Sequence, residues 1–292
     1  MKVLEPLRER DPKPLNRNER LYLERMLFTR HSFGLIDHYT EMVRAGAGRC
    51  DYKAAVAAAE QALEARQGLI DLGLKYSEQK QGIFVNTLMG QEGAPWLKGE
   101  VQQYRDLLAL TDGTDGRLIK RLPLEWAFRR DPNDTGLPRG FAYKDADLSY
   151  WHENRERYAE PGARKDYPTT EWETVQADLY AQAQGILHPD WQSFTGFLWY
   201  KADVDLNARQ VGGTPHVRFP GLFSEAWLYV NGHLVAHRPQ DHMWWHNDYH
   251  FNWDVDLSGY LKPGENDITL RVHCTHHVGG LFRRPVLYEP VQ

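Results

Sequence analysis

Gly196-Phe197-Leu198-Trp199-Tyr200-Lys201-Ala202-Asp203-Val204-Asp205-Leu206 alternates large or apolar side chains with polar ones. A period of two is the mark of a β-strand with one face buried. Downstream, Ala226-Trp227-Leu228-Tyr229-Val230-Asn231-Gly232-His233-Leu234-Val235-Ala236 sets two β-rich runs around Asn-Gly. That dipeptide is the strongest short hairpin signal, because both turn positions need φ > 0. Asp267-Ile268-Thr269-Leu270-Arg271-Val272-His273 is a further alternating strand, and Lys262-Pro263-Gly264-Glu265-Asn266 before it is built of turn formers. The whole stretch from Ser193 to Tyr288 therefore reads as one β-sandwich, with an aromatic and histidine-rich insertion at Asp241–Trp253.

The rest of the chain bounds the reading. Its 292 residues suffice for two domains or one large one. A net charge of -5 gives no basic face for nucleic acid. No apolar run is long enough to span a membrane as a helix. Cys50 and Cys274 fall in different predicted segments, so neither a disulfide framework nor a cysteine-based metal site is implied. Met1-Lys2-Val3-Leu4-Glu5-Pro6 lacks the apolar core of a signal peptide. The informative departure is aromatic: 10 Trp and 15 Tyr, many in predicted loops. Aromatic faces stack on the C–H faces of sugar rings, and the same residues also serve as sandwich core.

Upstream of the sandwich the period changes. Residues 1–16 are charged and carry Pro6, Pro12 and Pro14, a lead-in with little structure of its own. Tyr22, Met26, Phe33, Ile36, Tyr39 and Val43 then fall near a 3.6-residue stripe that Gly46-Ala47-Gly48 stops. Asp51 is a good N-cap for a second helix, with Val56, Ala59, Leu63 and Ile70 on one face. A third covers Trp96 to Leu110, with Val101, Tyr104 and Leu108 inward. Three amphipathic helices make a small bundle, spanning residues 1–112. Thr111-Asp112-Gly113-Thr114-Asp115-Gly116 is the boundary, and residues 117–292 form the β domain. Within it, Thr170 and Glu173 fit a capping box that predicts a short helix from about Glu171 to Gln184.

Several pieces stand in a telling order. They are the Trp199-Tyr200 strand, Trp227-Leu228-Tyr229-Val230-Asn231-Gly232, Asp256-Leu257-Ser258-Gly259-Tyr260-Leu261-Lys262-Pro263-Gly264-Glu265-Asn266, and Gly279-Gly280-Leu281-Phe282-Arg283-Arg284-Pro285-Val286. Together they resemble the sugar-binding domain of family 2 glycoside hydrolases, over about the C-terminal half of the chain. Leu124–Gly136 looks like that domain's opening strand. The resemblance implies an α+β chain: an N-terminal helical bundle followed by a galactose-binding-domain-like jelly-roll β-sandwich. The helical segment is similar to regions of large glycosidase-like proteins. The resemblance further implies an extracellular or periplasmic location, and allows the chain to be a piece of a longer protein.

Three kinds of chemistry are open to this frame. Asp241-His242-Met243-Trp244-Trp245-His246-Asn247-Asp248-Tyr249-His250 lies between strands, where binding sites of such folds gather. Two adjacent Trp cannot both enter one core face, and the polar neighbours suit sugar hydroxyls, which donate and accept. In the resemblance, His276-His277-Val278-Gly279-Gly280-Leu281-Phe282-Arg283-Arg284 approaches the same end. The carbohydrate-binding residues expected are Asp241, Trp244, Trp245, His246, Asn247, Tyr249, His276, His277 and Arg283. His242, His246 and His250, four apart, would suit zinc only on a helix; a structural calcium on loop carboxylates is the other metal expectation, with no nameable ligands. Catalysis finds less support. Glycosidases need two carboxylates at the scissile bond, and family 2 enzymes carry theirs on a barrel of about 250 residues, for which no room remains. Glu125 and Asp131 fit a strand and a turn. No nucleophile elbow, phosphate loop or dinucleotide fingerprint occurs.

The function expected is a carbohydrate-binding module associated with a glycoside hydrolase. Its partners would be an oligo- or polysaccharide and a catalytic glycosidase domain, with no nucleic acid and no membrane. The rivals are an accessory part of a glycosidase active site completed by another domain or chain, and a structural scaffold.

Overall fold

The structure is a computed structural model that describes residues 15–77, 95–132, 134–137, 141, 172–186, 194, 196–223, 225–239, 252–274 and 279–291. It is α+β, with long helices first and antiparallel sheets after. The chain divides into two compact units. One holds Met1–Ala45 and Lys53–Val101, the other Gly46–Tyr52 and Gln102–Gln292. The last helix of the predicted 1–112 segment thus gives its residues from Gln102 onward to the second unit.

In the first unit, α1 (Arg17–Val43) begins at a capping box: the Asn16 side chain accepts from the Glu19 amide at 3.0 Å, and Glu19 accepts from the Asn16 amide at 2.9 Å. Helix α2 is Tyr52–Ser77 and α3 is Pro95–Asp112. The faces that α1 and α2 use differ from those the apolar stripes predict. A Cβ placed on Gly34 of α1 would meet Ala65 of α2 at 3.7 Å, and one on Gly68 would fall 2.4 Å from the His31 ring. The helices meet through small residues, and Ala55, Ala58, Ala59, Ala62, Ala65 and Leu69 of α2 are buried. Val56, Leu63 and Ile70 are only partly buried, while Tyr22, Phe33 and Ile36 of α1 are exposed. Small side chains allow close backbone approach, and here that outweighs the area the larger side chains would have hidden.

Among the described residues the second unit holds twelve strands: β1 (Gly116–Arg121), β2 (Glu125–Asp131), β3 (Glu173–Gln176), β4 (Gly196–Leu206), β5 (His216–Phe219), β6 (Gly221–Phe223), β7 (Glu225–Val230), β8 (His233–Arg238), β9 (Trp253–Asp256), β10 (Gly264–Cys274), β11 (Gly280–Arg283) and β12 (Val286–Pro290). They form a six-stranded sheet in the order β3-β2-β4-β10-β7-β8, a four-stranded sheet β1-β12-β5-β9 and a ribbon β11-β6. One buried cluster joins the two larger sheets. Leu198, Tyr200, Ala202 and Val204 of β4, with Leu270 and Val272 of β10, share it with Val217 and Phe219 of β5, Val255 of β9 and Leu287 of β12. Burying each such aliphatic or aromatic side chain contributes about 1.5–3 kcal/mol, which makes this cluster the main source of the unit's stability.

The Asn231-Gly232 turn closes β7 on β8 with φ of 53° and 83°, the left-handed pair that a type I′ hairpin needs. Asn231 does a second job. Its Nδ2 donates to Tyr260 O at 2.9 Å and to Asn266 Oδ1 at 3.0 Å, and its Oδ1 accepts from the Asp267 amide at 3.2 Å. Asn266, fully buried, donates to the carbonyls of Lys262 and Gly264 and accepts from the Lys262 amide. The hairpin and the Lys262–Asn266 turn are thereby one hydrogen-bonded block that fixes where β10 starts.

Two expectations for this unit are corrected. Residues 173–176 form a strand rather than part of a helix: Glu125 pairs with Gln176 and Phe128 with Glu173. The open edge of β2 offered a ladder of backbone partners, and Val175 packs into the shared core. Strand β4 is not buried on one face alone. Phe197 and Trp199 point away from the shared core yet are 3% and 0% exposed, because they enter a second cluster with Leu137, Phe141, Trp227 and Tyr229. Only Asp203 and Asp205, at the far end, keep the exposed polar face.

Candidate functional site

Strand register brings five strand ends to one end of the six-stranded sheet. Cys274 at the end of β10 pairs with Gly196 at the start of β4, and His273 pairs with Phe197 on one side and Glu225 on the other. Phe197 also pairs with Asp131, the last residue of β2, and Ala226 with Arg238, the last of β8. The connections that follow β8 and β10 therefore leave from this same end. They contain most of the expected sugar-binding residues: Asp241, Trp244, Trp245, His246, Asn247 and Tyr249 in one, His276 and His277 in the other. All eight lie outside the described residues, as do His242 and His250.

The ninth, Arg283, ends β11. Its guanidinium donates to Oε1 of Gln103, a buried residue of α3. Gln103 Nε2 donates in turn to the Pro220 carbonyl and, at 3.1 Å, to Asn252 Oδ1. Arg283 thus anchors the stems of both connections, Asn252 leading out of the first and β11 out of the second.

The sheet face opposite the shared core is built, toward this end, of charge and aromatic rings in cross-strand rows. One row runs Asp131, Phe197, His273, Glu225; the next runs Arg129, Trp199, Arg271, Trp227, His237. Alternation puts these side chains on one face, opposite the shared core. Glu225, 2% exposed, sits 2.8 Å from His237 Nε2 and 3.6 Å from His273 Nδ1. The imidazoles are held flat by neighbours: His273 stacks on Phe197 at 4.4 Å and His237 on Trp227 at 4.9 Å. Arg271, 1% exposed, lies over Phe197 at 3.9 Å and Trp227 at 4.1 Å, and its Nη2 meets Asp134 at 2.6 Å. Lys201 closes the face, 3.9 Å from Asp267; burial lowers its ammonium below the ordinary lysine range, against the pull of Asp267 and Asp203.

Chemically this is a buried face in which Arg271 is ion-paired to Asp134 and Glu225 lies within hydrogen-bond distance of His237. A buried carboxylate keeps its charge only with partners, and here it has an imidazole within hydrogen-bond distance. Asp131, also fully buried, accepts from the Thr135 amide at 2.9 Å, the Gly136 amide at 2.7 Å and Trp199 Nε1 at 3.1 Å, which makes it the clamp of a turn. Among the described residues no group of three His, Cys, Asp or Glu is gathered to hold a metal ion. No described helix is long and apolar enough to cross a membrane.

Sequence reading missed Glu225, His237, Arg271 and Asp134 as a constellation. The signal was present as Glu225-x-Trp227 and Arg271-x-His273, polar and aromatic residues at period two on strands already recognised. Joining them needed the register.

No family model matches the chain. A Formosa agariphila protein provisionally named a beta-glucuronidase is 26% identical over 77 residues, which are 26% of this chain and 7% of that protein. Among solved structures, Ruminococcus gnavus beta-glucuronidase aligns at 15% identity with a TM-score of 0.42, covering 60% of this chain and 29% of that one. The same enzyme in complex with D-glucuronic acid gives 15% identity and a TM-score of 0.41 over 58% and 29%. The chain spans 7% of the length of the curated relative it matches and less than a third of those solved structures. Over part of its length it is distantly similar to glycosidases of the beta-glucuronidase kind.

Proposed function

We propose that this chain is a carbohydrate-binding module associated with a glycoside hydrolase, its β unit a galactose-binding-like jelly roll. It would recognise sugar through Trp244 and Trp245 stacking, with polar contacts from Asp241, His246, Asn247, Tyr249, His276 and His277. The observation that carries the reading is the register. The stems of both aromatic- and histidine-rich connections leave one end of the six-stranded sheet, the end at which Glu225, His237 and His273 are gathered. A buried, hydrogen-bonded base at the end from which polar and aromatic connections leave suits sugar recognition, because the base itself has little left to order on binding. Arg283 serves this site as an anchor of the stems.

The test is a titration of the whole chain with oligo- and polysaccharides, glucuronic-acid-containing glycans included because the similar proteins are named beta-glucuronidases. Tryptophan fluorescence is followed beside a Trp244→Ala/Trp245→Ala variant. Saturable binding that the variant loses supports the module. Absence of binding across the panel overturns it.

A second reading, an accessory part of a glycosidase active site completed elsewhere, draws on the far greater length of the curated relative. It predicts no binding by the chain alone, and binding or turnover once the longer protein is supplied.

A further inference from the structure

Helix α1 has two apolar faces, and among the described residues of its unit one of them is packed. The inner face, with His31 and Gly34, touches α2, and Met42 is fully buried. On the opposite side Tyr22, Phe33 and Ile36 are 55%, 69% and 62% exposed. They belong to a longer series, Tyr22, Met26, Thr29, Phe33, Ile36, Thr40 and Val43, in which the steps are four, three, four, three, four and three. That 3.5-residue mean is the spacing of a helix that pairs with another helix along a seam. Both threonines turn their hydroxyls back into the helix, Thr29 to Arg25 O at 2.9 Å and Thr40 to Ile36 O at 2.7 Å, so neither hydroxyl asks for a partner across the seam.

We propose that this face pairs with the same face of a second copy of the chain, the two α1 helices antiparallel. The charges choose the orientation and the register. Arg25 and Arg30 flank the seam on opposite sides, and a parallel pair would bring the Arg25 of one copy to the Arg30 of the other, a repulsive contact. Antiparallel, with Phe33 opposite Ile36 of the second copy, Thr29 faces Thr40 and Met26 faces Val43. Arg30 then lies beside Asp37 of the second copy, and two-fold symmetry repeats that pair. Arg30 and Asp37 are both exposed in the single chain.

The area sets the strength. The three exposed side chains present ~350 Å² of apolar surface per copy, given ~150–200 Å² for each whole side chain. That is within the size of the largest apolar patch on a typical monomer, about 300–600 Å², which is often functional. Two copies would hide ~700 Å² from these residues alone, below the roughly 1,200 Å² at which standard specific interfaces begin, the range of weak and transient contacts. A weak, reversible dimer follows.

Sedimentation velocity of the whole chain from about 1 to 200 μM tests it. The expected result is a monomer–dimer equilibrium that Phe33→Glu/Ile36→Glu abolishes. Both positions are exposed, so far-UV circular dichroism and the thermal midpoint should stay as in the parent. Arg30→Asp alone and Asp37→Arg alone should each weaken the dimer about fivefold at low salt, and Arg30→Asp/Asp37→Arg should restore it. A monomer throughout the range overturns the proposal, and so does a dimer that Phe33→Glu/Ile36→Glu leaves intact. Failure of the double charge exchange to restore pairing overturns the antiparallel register.

Discussion

Arg271 is the residue on which the second face of the six-stranded sheet depends, and Arg271→Ala is the sharpest test of that. The change deletes a guanidinium that lies 3.9 Å and 4.1 Å from two ring centroids and 2.6 Å from the Asp134 carboxylate. Breaking a buried ion pair by removing one partner costs about 3–5 kcal/mol, and each aromatic contact with a desolvated cation is worth about 0.5–2 kcal/mol. Asp134 keeps 16% of its side chain exposed, so water relieves part of its loss and the lower end applies, about 3 kcal/mol. With a urea slope of about 2 kcal/mol/M, the midpoint should fall by about 1.5 M. Urea unfolding followed by far-UV circular dichroism at the β-sheet band reads this directly. Asp134→Ala and the double variant complete a cycle, in which a coupling of about 1–2 kcal/mol is expected for groups in contact. A midpoint shift below about 0.3 M, or full additivity in the cycle, would refute the claim that this face is a true interior held by Arg271.

Other outcomes follow from the same structure. Asn266→Ala, which removes a fully buried amide and orphans the Lys262 N–H, should cost about 2–4 kcal/mol and show it in calorimetry; Asn266→Asp, which keeps the acceptor but not the donor, should recover only part. Gly232→Val, placing a β-branched residue at φ 83°, should cost about 1–3 kcal/mol, while Gly232→Asn should be nearly neutral. Burial first, and then the hydrogen bond to Asp254 at 2.7 Å, push the Tyr288 phenol up to about 12. A raised folded-state value favours the protonated form in the fold, so this contribution is complete below the ordinary tyrosine range near 10 and is lost as pH rises toward 12. Tyr288→Phe should flatten that part of the stability-versus-pH curve, and an unchanged curve would contradict the assignment.

The parts of the fold that local chemistry determines were legible in the sequence. Asn231-Gly232 demands left-handed backbone at both positions and turns as expected, and β4 and β10 show their period of two. Where choices are made between surfaces, the sequence was less telling. Glu173–Gln176 carries helix-start signals, and the unpaired edge of β2 overrode them. The stripe of Tyr22, Phe33 and Ile36 is as apolar as a core face should be, yet α1 packs by Gly34 and His31 because α2 offers alanines and Gly68 there. The Glu225–His237 pair and the Arg271–Asp134 pair link residues 12 and 137 positions apart, which no single-strand pattern could join. Of the expected sugar contacts, Arg283 alone falls among the described residues, and its guanidinium is engaged by Gln103.

Hydrogen-exchange mass spectrometry of the whole chain, with and without a saturating oligosaccharide from the binding panel, tests the central claim most directly. Carbohydrate recognition at this end of the sheet predicts ligand-dependent protection in peptides covering 239–252 and 275–283, with the far end around Asp203 and Asp205 unchanged. Protection confined to other peptides, or no protection with any glycan of the panel, would contradict it.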